Sequence, residues 1–380
     1  MLWSILAAAL AVLSFILTLW QWLVARRFPV HQRRAGVGAR PGVTLLKPLK
    51  GCDTKTDLCL RSWIGQGYDG PLQMLFGVAS PEDPVCAVVR QLIQAHPQLD
   101  LELVICSQAL GPNAKVSTLA QLQPHIRHEA VIISDADVWV PPDLVANLVV
   151  SLNDPEVGLV SCLYRLTDTV TPAMQWEAVA VNADFWSQVL QAESLGRVDF
   201  ALGAVMGTKR RWLEKTGAFH VLLEYLADDY QLGHRIAQTG ARVVLCPIVV
   251  ECRSASMSWR QVLKHQLRWT RTIRICQPAP FFFSILSNAT LWPLLWIAVD
   301  RTSVACSVGL LFLAARLITA ELNQRRLAGH RGHSFNPLLV LLKDVLGVGL
   351  WVMAFAGNRV EWRGQRFRML GDGRLEGPLD

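Results

Sequence analysis

The stretch Ala130-Val131-Ile132-Ile133-Ser134-Asp135-Ala136-Asp137-Val138 decides the predicted fold, because an apolar run of strand length ends there at two carboxylates. A buried parallel strand reads as a continuous run of Val and Ile, and open α/β sheets bind ligands beyond the carboxyl ends of such strands. Alternation along an extended chain points Asp135 and Asp137 to the same side. There they can coordinate one divalent cation, Mg²⁺ or Mn²⁺, which two phosphates of a ligand would also coordinate. The same pair is also typical of a turn or a helix cap.

Composition predicts membrane segments added to a folded domain. Of the 380 residues, 52% are apolar and only 18% are charged, which exceeds the apolar content of an ordinary globular domain. The net charge is +7, but the basic residues flank apolar segments and form no single stripe. Anionic membrane lipids are therefore the predicted partner, and nucleic acid is not. The nine cysteines have no metal-binding spacing and indicate reduced thiols in a cytosolic compartment.

The first 26 residues predict a transmembrane anchor. Leu2 to Ala25 carries no charge, lacks the basic start of a signal peptide, and precedes a basic cluster that indicates a cytoplasmic exit. A short linker, Ala35–Pro41, follows. The basic cluster consists of Arg26, Arg27, His31, Arg33 and Arg34.

Residues 278–358 predict a second membrane region, followed by a basic tail at 359–380. Strict alternation of three spans from a cytoplasmic start would place this tail outside, against the positive-inside tendency. One segment is therefore expected to be interfacial or re-entrant, either the first, with Pro293, or the last, with Lys343 and Asp344. The three apolar segments are Phe281–Val299, Ser303–Ala320 and Pro337–Ala356.

Residues 42–277 predict one cytoplasmic α/β domain with a mostly parallel, doubly wound sheet, because strand-like and helix-like stretches alternate. Each polar loop after a strand is expected to face the same ligand crevice. These loops carry Lys47, Asp83 and Lys115. The predicted elements before the motif strand are the strands Val43–Leu46, Leu72–Val78 and Leu101–Ile105 and the helix Val85–Ala95.

Three further stretches are candidates for chemistry, each with a plain structural alternative. Asp228 and Asp229 stand at the start of a predicted helix, where they either cap it or supply a general base for a sugar acceptor hydroxyl. Gly203 lies in a run of small residues that forms a tight turn or lets backbone approach a sugar. The segment His265–Arg274 carries cations that either reach lipid headgroups or pair with a diphosphate, and an aromatic ring that could wall an acceptor site.

The order of these pieces resembles the processive and lipid-linked branch of the family 2 glycosyltransferase superfamily, with its D, DxD, (E/D)D and QxxRW series. Position 265 departs from that series, because it is His where Gln or Arg is usual. Other stretches resemble the ceramide glucosyltransferase family over nearly the whole chain, and some look most like its bacterial hopanoid-biosynthesis members. The first group is Thr44–Asp53, Glu82–Pro84 and Trp362–Arg368; the second is Asp199–Ala204, Leu226–Tyr230 and His265–Arg274.

This resemblance implies a GT-A-like domain and a role for each matching residue. Asp229 would be the catalytic base, and Asp135 and Asp137 would bind the metal. Gly203, His265 and Trp269 would contact the acceptor. The residues that would bind the nucleotide sugar are Lys47, Asp83, Lys115, Asp135 and Arg268.

The expected activity is inverting transfer of a sugar from a UDP-sugar to a lipid hydroxyl, at the inner membrane of a bacterium. The hopanoid-like motifs favour UDP-N-acetylglucosamine and a hopanoid, with UDP-glucose and ceramide as the alternative. An alternative of another class is a non-catalytic membrane scaffold or a component of polysaccharide synthesis and export. The intact acids argue against a silent scaffold, and three or four spans are too few for a self-sufficient polymer channel.

Overall fold

The computed structural model describes residues 1–33, 38–196, 198–362 and 364–379. Arg34, residues 35–37 of the predicted linker and Arg363 lie outside the described residues. The helices are α1 Leu2–Arg27, α2 Thr56–Ile64, α3 Val85–Ala95, α4 Ala114–Leu122, α5 Leu144–Leu152, α6 Pro172–Val179, α7 Trp186–Leu195, α8 Arg210–Lys215, α9 Asp228–Gln238, α10 Trp259–Cys276, α11 Pro278–Phe283, α12 Leu291–Asp300, α13 Ser303–Ala328 and α14 Pro337–Phe355. The strands are β1 Val43–Leu49, β2 Leu72–Val78, β3 Asp100–Ile105, β4 Ala130–Ser134, β5 Val138–Trp139, β6 Val157–Thr167, β7 Val205–Lys209, β8 Arg242–Arg253, β9 Arg359–Trp362, β10 Gln365–Met369 and β11 Leu375–Leu379.

These elements form two compact units, which are named here the helical unit and the sheet unit. The division differs from the predicted domain at 42–277, because α6, α7 and α10 belong to the helical unit. The helical unit comprises Met1–Val30, Thr169–Gly196 and Ser256–Gly364, and the sheet unit comprises His31–Asp168, Arg197–Ala255 and Gln365–Asp380.

The sheet unit is built on an eight-stranded sheet with the order β3-β2-β1-β4-β7-β6-β8-β5. Neighbours pair in parallel except where β5 or β7 is involved, so six of the eight strands run in one direction. Successive residues of a central strand enter opposite cores, since Ile132 packs in one cluster and Ile133 in another. The prediction of a mostly parallel α/β sheet is confirmed.

The carboxyl ends of the parallel strands bring several polar loops to one edge of this sheet. The loops after β1, β2, β3 and β4 all leave from that edge. The antiparallel strand β7 begins there, and the N–H of Asp135 donates to the carbonyl of Ala204 just before it, at 3.3 Å. The segments around Gly203 and Asp135 are therefore neighbours.

The helical unit contains the membrane candidates. Helices α1, α13 and α14 are long and apolar enough to cross a membrane, and the chain is an integral membrane protein. The segment predicted from Phe281 forms a bent pair, Pro278–Ser287 and Leu291–Asp300, with an angle of 50° between the two parts. A bend of this kind fits a broken span or a re-entrant loop, and which segment is interfacial or re-entrant stays a prediction.

A buried ionic cluster explains how α14 carries two charged residues. The Arg316 guanidinium lies 2.8 Å from a carboxylate oxygen of Asp184 and 2.9 Å from one of Asp344. Lys343 contacts both carboxylates. Two cations and two anions thus neutralise one another, which lowers the cost of burying them among apolar helices.

The described residues of the predicted basic tail include the strands β9, β10 and β11. Strands β10 and β11 pair antiparallel within the sheet unit. The N–H of Leu375 donates to the carbonyl of Glu224 at 2.6 Å, and Arg374 forms a β-bridge with Tyr225. The hairpin therefore contacts the loop that leads to the start of α9.

Candidate active site

The turn that carries the two central carboxylates follows β4 directly. The strand ends at Ser134, and Val138 begins a separate strand that pairs with β8. The side chain of Asp135 is half-buried and Asp137 is exposed. Both carboxylates raise the pKa of the Cys252 thiol, after the larger effect of its burial. The charges of both acids thus reach the same thiol, and the prediction that the two side chains point to one side stays a prediction.

Lys115 joins this turn to the second acidic pair. Its ammonium lies 2.8 Å from a carboxylate oxygen of Asp135 and 2.9 Å from one of Asp228. Burial alone would lower the pKa of Lys115, but the charges of Asp135 and Asp228 outweigh burial and raise that pKa above its usual value. The Asp135 turn and the Asp228-Asp229 pair, about ninety residues apart in the chain, thus share the buried ammonium of Lys115.

Asn113 holds Lys115 in this position. Its side-chain oxygen accepts from the N–H of Val116 at 3.1 Å and so caps α4. Its side-chain amide donates to the carbonyl of Tyr225 at 2.7 Å, and its backbone N–H donates to Leu223 at 3.0 Å. No role was predicted for Asn113, although an Asn directly before a helix is a cap signal.

Asp229 is the carboxylate best suited to accept a proton. Burial, and then the neighbouring charge of Asp228, raise the pKa of Asp229 from 3.8 to about 6. One of its oxygens accepts from the N–H of Tyr230 at 2.8 Å. A Cβ added at Gly203 would stand 2.8 Å from its other oxygen, so the lack of a side chain at Gly203 makes room for this carboxylate itself.

The alternative that the Asp228 side chain caps the following helix is wrong. Helix α9 begins after Ala227 without a side-chain cap, and the Asp228 carboxylate instead binds Lys115. An ammonium that is nine-tenths buried requires a counter-charge more than the helix end requires a cap.

The placement of Lys47 in a loop was also wrong, because β1 continues to Leu49 and Lys47 is fully buried within it. Its ammonium donates to the hydroxyl of Ser134 and to the backbone carbonyl of Asp135. Burial lowers the pKa of Lys47 to about 8, and the charges of Asp135 and Asp137 oppose this shift in part. Lys47 therefore supports the Asp135 turn from within the sheet.

Asp83 connects the loops that follow β1 and β2. Its two carboxylate oxygens accept from the N–H of Gly51 at 3.0 and 2.9 Å, and one also accepts from the N–H of Val85 at the start of α3. Gly51 has φ +70°, a backbone conformation that glycine adopts without strain. Asp83 thus shapes the edge of the sheet where its loop was predicted to lie.

His265, Arg268 and Trp269 lie on α10, which belongs to the helical unit. Nδ1 of His265 lies 2.6 Å from a carboxylate oxygen of Glu177, and the rings of His265 and Trp269 are 4.6 Å apart. Glu177 was missed by the sequence analysis. The sequence feature that could have indicated Glu177 is its place as a lone acid within the apolar helix α6.

A family model identifies the chain. The model of glycosyl transferase family 21 matches residues 5–375, which is nearly the whole sequence. The chain belongs to glycosyl transferase family 21. It is therefore a sugar-transferring enzyme.

Curated relatives of this family 21 glycosyltransferase include ceramide glucosyltransferase 1 of Caenorhabditis elegans. That relative is 22% identical over 349 residues, which cover 88% of this chain and 73% of the relative. The ceramide glucosyltransferase of Candida albicans is 34% identical over 123 residues, which cover 30% of this chain and 23% of the relative. The resemblance to the ceramide glucosyltransferase family is confirmed, and the likeness to hopanoid members stays a prediction.

A solved structure shows the fold of this family 21 glycosyltransferase. Mannosyltransferase PcManGT from Pyrobaculum calidifontis, in complex with GDP-Man and Mn²⁺, matches with a TM-score of 0.55 and 21% identity. The match covers 91% of this chain and 99% of the mannosyltransferase. The expected GT-A-like fold is confirmed.

The carboxylates of this family 21 glycosyltransferase fit a divalent cation that a ligand helps to hold. No group of three or more His, Cys, Asp or Glu that could bind a metal occurs within the described ranges. Asp135 and Asp137 supply two hard-oxygen side chains beside one another. Mg²⁺ or Mn²⁺ bound by one or two carboxylates typically completes its coordination with phosphate oxygens and water.

Proposed function

We propose that this family 21 glycosyltransferase transfers a sugar from a UDP-sugar to the hydroxyl of a membrane lipid, with inversion at the anomeric carbon. The observation that carries the proposal is the cluster formed by Asp135, Lys115, Asp228 and Asp229 at one edge of the sheet. It combines the turn that is proposed to bind a divalent cation with a carboxylate whose pKa suits proton transfer near neutral pH. The apolar helices of the same chain are long enough to cross a membrane, which is where an acceptor lipid would lie.

In the proposed reaction Asp229 accepts the proton of the acceptor hydroxyl as that oxygen attacks the anomeric carbon. Gly203, which has no side chain, lets this carboxylate lie close to its backbone. A divalent cation at Asp135 and Asp137 would offset the charge that develops on the departing UDP. Arg268 and Trp269 are proposed to contact the diphosphate and the acceptor, on the strength of the family motif.

Two acceptor and donor pairs are candidates. The motifs around Asp199–Ala204 and His265–Arg274 favour a hopanoid with UDP-N-acetylglucosamine. The relatives named ceramide glucosyltransferases support ceramide with UDP-glucose.

The test measures UDP release by the purified protein with each donor and each lipid in all four combinations. UDP release that requires one lipid supports the proposal, and release that is equal with and without lipid contradicts it.

The proposed metal site predicts a metal-dependent effect of Asp137→Asn. Loss of one charged ligand should weaken UDP binding about tenfold or more in the presence of Mn²⁺ and leave it unchanged without metal. Calorimetric titration with UDP, with and without Mn²⁺, measures both. Asp57→Asn is the matched control, because Asp57 is an exposed acid that pairs with Arg61 on α2. Equal UDP affinity of wild type and Asp137→Asn in saturating Mn²⁺ would remove Asp137 from the metal site.

The basic residues after α1 predict that the sheet unit faces the cytoplasm, where UDP-sugars are made. Cys52 is exposed in this unit, whereas Cys106 and Cys162 are buried and therefore unsuitable as reporters. A membrane-impermeant maleimide should label Cys52 only after cells are permeabilised, and Cys52→Ser should lose that labelling. Labelling of Cys52 in sealed cells would show the opposite orientation.

A further inference from the structure

Glu177 is a buried carboxylate that organises two side chains of α10. It is 1% exposed, and its Oε1 lies 2.8 Å from the side-chain nitrogen of Gln266 and 2.6 Å from Nδ1 of His265. A carboxylate removed from water must be satisfied by donors, and these two side chains supply them. Glu177, His265 and Gln266 all belong to the helical unit.

This contact fixes how His265 presents its ring. A carboxylate oxygen accepts hydrogen bonds, so Nδ1 carries the proton that points to Glu177. Nε2 is the remaining polar atom of the ring, and within the described part of the chain no residue forms a hydrogen bond with it. The side chain of His265 is 27% exposed, so a ligand can approach.

An aromatic ring lies against the ring of His265, and a second aromatic ring lies beyond it. The ring of Trp269 is 4.6 Å from that of His265, and Phe185 lies 6.3 Å from Trp269. One oriented polar atom beside aromatic side chains is the arrangement by which proteins recognise a hydroxyl carried by an apolar body.

We propose that Glu177 is a positioning residue that holds His265 so that Nε2 binds the hydroxyl region of the lipid acceptor. The inference rests on the proposed function and deepens it, because it assigns recognition of the hydroxyl to an imidazole oriented by Glu177. If the contact served only to hold α6 against α10, Nε2 would play no part in activity.

Two substitutions of His265 separate these roles. His265→Asn keeps a donor at the place of Nδ1 and removes Nε2, whereas His265→Gln places an amide near Nε2 and takes the donor from Glu177. The acceptor KM of His265→Asn should rise about five- to tenfold with the melting temperature preserved. His265→Gln should melt at a lower temperature and keep an acceptor KM nearer to that of wild type. The donor KM should stay unchanged in both.

A double-mutant cycle then tests the action of Glu177 through His265. Glu177→Ala should raise the acceptor KM in the wild-type background and add little when His265 is already Asn. A wild-type acceptor KM in His265→Asn, or an equal effect of Glu177→Ala in both backgrounds, would overturn the inference while the proposed function stands. Absence of transfer to any lipid by the wild-type protein would overturn the proposed function and the inference together. If Glu177→Ala does not fold, the two His265 variants decide the question.

Discussion

Asp229→Asn should lower kcat about 10²- to 10⁴-fold, which is the usual cost of removing a general base. Donor binding should persist, because the Asp229 carboxylate accepts its hydrogen bond from Tyr230, outside the turn that carries Asp135 and Asp137. Turnover and UDP binding of the purified variant measure the two effects. Asp199→Asn is the matched control, since Asp199 is a partly exposed acid of the same unit that pairs with His234. Near-normal transfer by Asp229→Asn would remove this residue from the mechanism.

The raised pKa of Asp229 also fixes the sign of its pH effects. The base must be ionised, so wild-type kcat should fall as pH decreases through about 6. A carboxyl whose pKa is higher in the folded protein contributes stability that is complete below its usual value of 3.8 and is lost as pH rises through about 6. Asp229→Asn should therefore melt at a higher temperature than wild type at pH 7.5, with a smaller difference at pH 5.

Lys115→Met should cause the second large effect, a loss of both stability and UDP binding. The substitution leaves the buried Asp228 carboxylate without its cation, and breaking a buried pair in this way typically costs about 3–5 kcal/mol. The Asp135 pair is more exposed and should contribute less to stability. Its loss should instead disturb the turn that is proposed to hold the metal.

Thermal unfolding and UDP titration of Lys115→Met measure these two losses. Lys209→Met is the matched control, because Lys209 is a partly buried lysine of the same sheet whose ammonium donates a hydrogen bond to the backbone carbonyl of Asp154. Lys115→Met with the melting temperature of wild type would contradict the central place of Lys115 in the site.

The parts of the fold that the sequence predicted correctly depend on local patterns. Strand β2 and helix α3 have the predicted bounds, Leu72–Val78 and Val85–Ala95. Their apolar runs and the Pro84 boundary are signals contained within a few residues. The turn after β4 was placed correctly for the same reason, since the change from Ile133 to the carboxylates marks the end of a buried strand.

The parts that were missed depend on contacts between distant residues. Lys47 can lie inside a strand because its ammonium donates hydrogen bonds to Ser134, which is 87 residues away, and to the Asp135 carbonyl. Asp228 binds Lys115 in place of capping a helix, and Glu177 pairs with a histidine 88 residues away. Neither propensity nor spacing encodes such pairings, because a buried charge is tolerated only where the whole fold supplies its partner.

The central claim is transfer of a sugar from a UDP-sugar to a lipid hydroxyl with Asp229 as the base. The most direct measurement is mass spectrometry of lipids after the purified protein is incubated with isotope-labelled UDP-sugar, Mn²⁺ and either a hopanoid or ceramide. We expect one lipid to gain the mass of one labelled sugar with wild type and to gain almost none with Asp229→Asn. A labelled product that forms equally with both proteins, or no labelled lipid with the wild-type protein, would contradict the account.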